Sequence, residues 1–219
     1  MGYNEQYFQN QIRKSDDKVA WQYGSMVSFA HTEPPTALRV LDAGCGAGPG
    51  LRYLCSRGYC TFGTDFVEYP LIVSRQVAPG ASIARSDLGK PFPFAAEAFD
   101  LILMGEVIEH LDDTHALLAE CRRVLATGGA LVVTTPNLRD IRKYWQGRQW
   151  SGYIDPTHKR LFNAAGLAAE FRAAGFNRVR VRTGFKPMFW VSSKKLGLRF
   201  AVPWPPLIGN TLIAVGYRD

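Results

Sequence analysis

Residues 40–50 read VLDAGCGAGPG. An apolar strand-like run leads straight into Asp42, and Gly44, Gly46, Gly48 and Gly50 then alternate with small residues ahead of a helix-like segment. Glycine turns tightly and has no Cβ, so backbone can approach a ligand closely, and the N-terminus of a following helix offers unpaired N–H groups to a carboxylate or phosphate. The residues narrow the ligand. Counted from Gly44, the last position of G-x-G-x-x-G falls on Pro49, where a dinucleotide site wants Gly or Ala. No Lys follows the glycines as the phosphate-cradling G-x-x-x-x-G-K-[ST] loop requires.

Outward from this loop the chain repeats a short β-rich apolar run, a Gly or Asp turn and a longer mixed segment, the pattern of parallel β-α-β units. Strands are predicted at ALRVLDA, CTFGTDF, SIARSD, FDLILMG and ALVVTTP, with helices near 49–58, 67–78 and 113–126. Their near-continuous hydrophobicity fits strands buried on both faces. The fold class is therefore α/β, a doubly wound, mostly parallel sheet with helices on both sides. After Pro136 comes a polar and aromatic loop, then NAAGLAAEFRAAGF, a helix expected to close at Gly175, and two last strands, RVRVRT and TLIAVGY. A chain of 219 residues with 47% hydrophobic residues suits one domain. Within it we expect an N-terminal helical cover over 1–35, a ligand-binding core over 36–183, and an aromatic, Lys- and Pro-rich insertion over 185–210, too apolar for an idle connection and read as a lid or docking surface.

Four cysteines, at 45, 55, 60 and 121, form no C-x-x-C pair and read as reduced thiols. No apolar run reaches membrane-spanning length, and MGYNEQYFQN lacks a secretory layout, so the expected location is the cytoplasm. The formal charge of +7 gathers after residue 139, in RDIRKYWQGR, HKR, RVRVRTGFK and SSKKLGLR, and favours an anionic partner there.

Asp65 ends the second strand 21 residues beyond Gly44, where an α/β nucleotide fold places an acid for ribose hydroxyls; the alternative is a helix-capping Asp. Asp87 closes SIARSD, placed to accept from an adenine amine with Leu88 against the ring, or else to form a turn. GEVIEHLDD, residues 105–113, follows the fourth strand with Glu106, Glu109 and His110. It is either a solvated acidic turn or a site in which His110, oriented by an acid, is a general base. His158, in DPTHKRLF, is either a buried, satisfied histidine or a second catalytic group on the acceptor side, with Trp145, Trp150 and Tyr153 available to stack or to pack.

D-x-G-C-G-x-G, a strand-ending acid, a D-L pair, FDLILMGEVIEHLDD and GGALVVTTPN, in that order, resemble the Rossmann-type S-adenosylmethionine-dependent methyltransferases over roughly residues 36–183. The resemblance implies seven strands with the last antiparallel and S-adenosylmethionine at the carboxyl ends of the first strands. It implies that Asp42 orients the glycine loop, that Gly44, Cys45 and Gly46 pass the methionyl end, that Asp65 holds the ribose and Asp87 with Leu88 the adenine, and that Met104 touches the sulfur end. E-x-x-E-H also resembles the magnesium-binding stretch of ubiquinone-pathway and small-RNA 2′-O-methyltransferases. Glu106, Glu109, His110 and His158 are accordingly the candidate metal ligands, although magnesium is not expected.

The implied function is O-methylation of a small metabolite or saccharide intermediate. Two alternatives stand beside it: an RNA 2′-O-methyltransferase with a metal-assisted site, and a non-catalytic docking subunit. Nucleic acid is not the expected partner, since no added RNA-binding module is present, and peripheral membrane contact would run through residues 185–210.

Overall fold

The computed structural model describes residues 15–30, 38–183 and 209–219, and the backbone of 189–193 and 198–202. The elements that matter for the site are helix α1 (Asp16–Phe29), β1 (Arg39–Ala43), α2 (Pro49–Ser56), β2 (Cys60–Asp65), α3 (Glu68–Val77), β3 (Ser82–Arg85), β4 (Phe99–Gly105), α4 (Thr114–Val124), β5 (Leu125–Pro136), α5 (Ala164–Ala173), β6 (Asn177–Thr183) and β9 (Thr211–Tyr217). β7 (Phe189–Ser193) and β8 (Leu198–Val202) pair with each other in a separate antiparallel sheet.

The main sheet has seven strands in the order β3-β2-β1-β4-β5-β9-β6. β1 to β5 pair in parallel, while β9 runs antiparallel to both β5 and β6. Both faces of the sheet are buried, and the strands show why. Leu41, Ile102, Met104, Leu131, Val133, Leu212 and Ala214 point to one side with α4 and α5. Their neighbours Val40, Leu101, Leu103, Ala130, Val132, Ile213 and Val215 point to the other with Met26 and Val27 of α1 and Leu54 of α2. Side chains alternate along a strand, so a run that is apolar at every position needs helices on each face.

Helix boundaries follow local chemistry. Asp113 accepts from the N–H of Ala116 to cap α4, Asn163 accepts from Gly166 to cap α5, and Gly175 takes φ +85° just past α5, as expected of a glycine after a helix C-cap. In the N-terminal cover, WQYGSMVSF lies within α1; residues 1–14 and 31–37 lie outside the described residues, as do residue 184 and 185–188, 194–197 and 203–208 of the insertion. The post-Pro136 loop contains three single turns of helix, Lys143–Gln146, Gly147–Gln149 and Ser151–Ile154. Among the described residues no helix is long and apolar enough to cross a membrane.

Strand order reverses between β1 and β4. Chains leaving their carboxyl ends diverge there, and the crevice so formed is the ligand position of open α/β sheets.

Candidate active site

A cavity of about 450 Å³ opens at that reversal, within the range of small-molecule sites. One end is walled by Gly44, Cys45 and Gly46 after β1, Asp65, Phe66 and Val67 after β2, and Asp87 with Leu88 after β3. The other is walled by Glu106, Glu109, His110, Ile154, Asp155 and His158, and α1 closes the side with Val19, Gln22 and Tyr23.

The glycine loop is shaped by close approaches. Gly44 sits at φ +85°, where a Cβ would lie 2.5 Å from Cγ2 of Val107. Its N–H and that of Cys45 both donate to the carbonyl of Thr64, at 2.7 and 2.9 Å, which ties the loop to the end of β2. Asp65 completes the tie: one carboxylate oxygen accepts the N–H of Gly46 and the other that of Val67, each at 3.0 Å. Burial pushes its pKa up, and the backbone N–H groups of Val67 and Gly46 partly offset this. The carboxylate therefore shapes the loop while facing the cavity.

Asp42 is placed differently from its neighbours. It is buried behind the loop and accepts the phenol hydrogen of Tyr23 at 2.9 Å. Burial, with a further push from Asp65, raises its pKa from 3.8 to about 7, although the Tyr23 hydrogen bond works the other way. Asp42 thus acts on the loop through Tyr23 and the strand end. A carboxyl whose pKa is higher folded than unfolded contributes stability that is full below pH 3.8 and lost as pH rises through about 7. At about 1.4 kcal/mol per pH unit the loss is on the order of 4 kcal/mol. Asp42→Asn, which keeps an acceptor for Tyr23, is expected to flatten the fall in melting temperature between pH 5 and pH 8. An unchanged slope would refute the assignment.

Asp87 and Leu88 border the cavity, but the Asp87 side chain is engaged in its own turn, accepting from the N–H of Gly89 at 2.9 Å and lying 3.6 Å from Lys90 Nζ. Met104 packs in the core beneath α4 and α5 and is not among the lining residues; Gly105 and Glu106 reach the cavity in its place. Glu106 holds φ +59°, an uncommon backbone setting for a side chain other than glycine, with its N–H on the carbonyl of Thr134 at 2.8 Å.

Ile108–His110 forms a turn of 3₁₀ helix. Glu109 is fully buried and accepts from the hydroxyl of Thr135 at 3.0 Å, while its carbonyl receives the N–H groups of Lys159 and Arg160 at 2.8 and 3.1 Å. That pair of bonds seats His158 beside His110, with ring centroids 4.8 Å apart and His158 Nε2 3.9 Å from Glu109 Oε1. His110 Nδ1 lies 2.9 Å from the hydroxyl of Thr157, whose own hydrogen points to Asp155 at 2.5 Å, so Nδ1 is the donor and Nε2 the basic nitrogen. Burial and the adjacent His158 hold the His110 pKa below 6.5. Burial would raise Asp155, but its bonds from Thr157 and the nearby histidines prevail and keep it low. Glu109, His110 and His158 bring one donor atom each within 4.8 Å of one another; Glu106 is not part of this group.

Of the predicted residues, Gly44, Cys45, Gly46, Asp65, Asp87, Leu88, Glu106, Glu109, His110 and His158 share one cavity, while Asp42 and Met104 stand behind its wall. Tyr23 and Thr157 were not foreseen. The spacing Val19, Gln22, Tyr23 and Met26 marks one helical face, and a strand-end acid such as Asp42 needs a donor, so the signal for Tyr23 existed in the sequence. Thr157 had none.

The sequence matches the methyltransferase domain family over residues 16–181. A probable S-adenosylmethionine-dependent methyltransferase of Mycolicibacterium smegmatis is 34% identical over 137 residues, covering 63% of this chain and 51% of the relative, so the chain spans about half that protein's length. A ubiquinone biosynthesis O-methyltransferase of Cereibacter sphaeroides is 33% identical over 188 residues, covering 76% of this chain and 73% of that one. A SAM-dependent methyltransferase structure from Archaeoglobus fulgidus shares the fold with a TM-score of 0.71 at 19% identity, covering 98% of this chain and 100% of the other.

Proposed function

The chain belongs to the Rossmann-type S-adenosylmethionine-dependent methyltransferases, and from that premise we propose that it moves a methyl group to a hydroxyl of a small metabolite or saccharide-like acceptor. The observation that carries the reading is one continuous cavity with a glycine loop and strand-end acid at one end and two facing imidazoles at the other. S-adenosylmethionine supplies a methyl already activated on sulfonium. The Gly44–Gly46 backbone, which walls one end of the cavity, fits its methionyl end, and Asp65 beside it fits the ribose hydroxyls.

What remains for the protein is alignment, exclusion of water and removal of one proton. Nε2 of His110 is the base, taking the acceptor hydrogen as oxygen attacks, with Thr157 and Asp155 steadying the opposite nitrogen. Burial and His158, by lowering its pKa, favour the neutral ring, whose lone pair can accept the proton. His110→Ala is expected to leave the cofactor dissociation constant unchanged and to slow turnover by about 10²–10⁴-fold. Because the His110 pKa lies below 6.5, the rate should decline only on the acid side of that value. A pH–rate profile with no acid limb in the wild type would refute the base.

A hydroxyl acceptor is also what the name of the Cereibacter sphaeroides relative indicates for that enzyme. The Glu109, His110 and His158 donors favour a second, metal-assisted version of the same reaction: these three residues would hold a divalent cation, which would supply Lewis-acid polarisation to the acceptor. An RNA acceptor draws less support: Arg142, Arg160, Arg178 and Arg218 of the basic back half are engaged with Asp140, Glu170, Asp219 and Glu97. We read residues 36–183 as the cofactor-binding unit, 185–210 as the insertion beside it, and the cytoplasm as the location, since all four cysteines are free thiols. Calorimetric titration with S-adenosylmethionine and its demethylated product, with and without magnesium, tests the reading, followed by turnover on hydroxylated sugars and metabolites. Binding of neither compound would overturn it.

A further inference from the structure

Beside the cavity lies a buried carboxylate that no step above uses. Asp140 sits in the loop after β5, yet it is 0% exposed. It accepts the indole N–H of Trp150 at 2.7 Å, the guanidinium of Arg142 through Nη2 at 2.7 Å and Nε at 2.9 Å, and the Arg142 backbone N–H at 2.9 Å. A fully buried carboxylate is costly unless satisfied in this way, and a loop crossing a surface has no general need of one. The group it secures is Trp150, also 0% exposed, although Tyr144 and Trp145 a few residues earlier are 81% and 66% exposed.

Trp150 in turn limits Gly152. A Cβ on Gly152 would lie 2.1 Å from Cζ3 of the indole, so the backbone there runs directly against the ring, and Tyr153 packs edge-on to the same ring at 4.7 Å. The carbonyl of Gly152 then meets Nδ1 of His158 at 3.0 Å. A carbonyl only accepts, so Nδ1 carries a hydrogen, and in the neutral ring Nε2 is then the lone-pair nitrogen. Nε2 is the atom near Glu109 Oε1, and His158 lines the cavity.

We propose that Asp140 and Trp150, acting through the Gly152 carbonyl, are positioning residues that hold His158 as the Nδ1–H tautomer with Nε2 turned to the acceptor end of the cavity. The orientation is built from outside the cavity: Asp140 fixes the indole plane, the plane fixes the backbone at Gly152, and the carbonyl selects the nitrogen that bears hydrogen. The consequence for acceptor methylation rests on the function proposed above; the tautomer does not.

The test therefore has two readouts. Nitrogen NMR of the histidine-labelled full chain at alkaline pH, with His158 assigned by its loss in His158→Gln, reports which ring nitrogen is protonated without any substrate. Wild type should show His158 protonated at Nδ1, and Trp150→Phe and Gly152→Ala should shift the ring toward the Nε2–H form that imidazole prefers in water. With an accepted acceptor, the same variants should lose about tenfold or more in kcat/KM, the scale on which an imidazole's supporting partner acts, with cofactor affinity changed less than twofold. Trp150→Phe should add no further loss in a His158→Gln background.

Should Trp150→Phe fail to fold, Asp140→Leu, which leaves the indole N–H without its acceptor at a similar side-chain volume, reads the same quantities. Wild-type His158 protonated at Nε2, or an unchanged tautomer in folded variants, overturns the proposal. Absence of cofactor binding would instead overturn the proposed function and leave the tautomer result standing.

Discussion

Replacing Asp65 by alanine is expected to weaken S-adenosylmethionine binding by about 10²–10³-fold, since a hydrogen bond to a charged group contributes about 1.5–3 kcal/mol and the ribose presents two hydroxyls. The position of the carboxylate makes this the largest effect on ligand affinity. Its two oxygens accept from the backbone N–H groups of Gly46 and Val67, so it is already oriented before any ligand arrives, and the residue lines the cavity. On the proposed assignment truncation would remove the ribose contacts; it also leaves the Gly46 N–H without its acceptor, loosening the glycine loop. Asp65→Asn should fall between, because an amide keeps one acceptor oxygen and loses the charge. Calorimetry measures both. An Asp65→Ala protein that remains folded and binds the cofactor with wild-type affinity would show that the ribose is held elsewhere.

Gly50→Ala should be the most destabilising single-methyl substitution in the loop region, although the position lies in the first turn of α2, where alanine is intrinsically the better helix former by about 1 kcal/mol. The reason is tertiary. A Cβ at Gly50 would fall 1.9 Å from Cζ of Tyr23 and 2.2 Å from its hydroxyl oxygen, so the phenol must leave. Leaving breaks its bond to Asp42 and lifts the face of α1 that packs Met26 and Val27 against the sheet. Overpacking of this kind costs about 1–3 kcal/mol, and with the lost hydrogen bond a fall in melting temperature of about 6–12 °C is expected. Tyr23→Ala combined with Gly50→Ala should be less harmful than the two single changes added together, because the smaller side chain opens the space. Strict additivity in thermal unfolding would show that the two residues do not share that space.

The two substitutions differ in how far the sequence alone foretells them. The place of Asp65 at the cavity was legible because it depends on a short-range rule: a strand ends, an acid follows, and the glycine loop lies at a fixed distance back along the chain. Gly50→Ala reads in sequence as a mild improvement of a helix, and only the packing of α1 against α2 reverses its sign. Met104 shows a related failure. Chain order placed it at the end of β4, but side chains alternate across a sheet, and register turned it into the core while Gly105 and Glu106 reached the cavity. Asp87, by contrast, borders the cavity while its side chain is held by the local turn signal of Asp before Gly.

By itself, then, the sequence determined the parallel α/β architecture, the glycine loop and the strand-end acids, since hydrophobic period and glycine placement act between residues near in the chain. The tertiary structure decided which atoms of those residues meet. The Tyr23–Asp42 bond joins residues 19 positions apart, and Thr157 contacts His110 across 47. The Glu109 carbonyl seats the loop that carries His158, and Asp140 reaches that histidine through Trp150 and Gly152. Contacts of that kind depend on how layers stack and where strand order reverses, and a buried acid or imidazole takes its protonation from whatever those layers bring beside it.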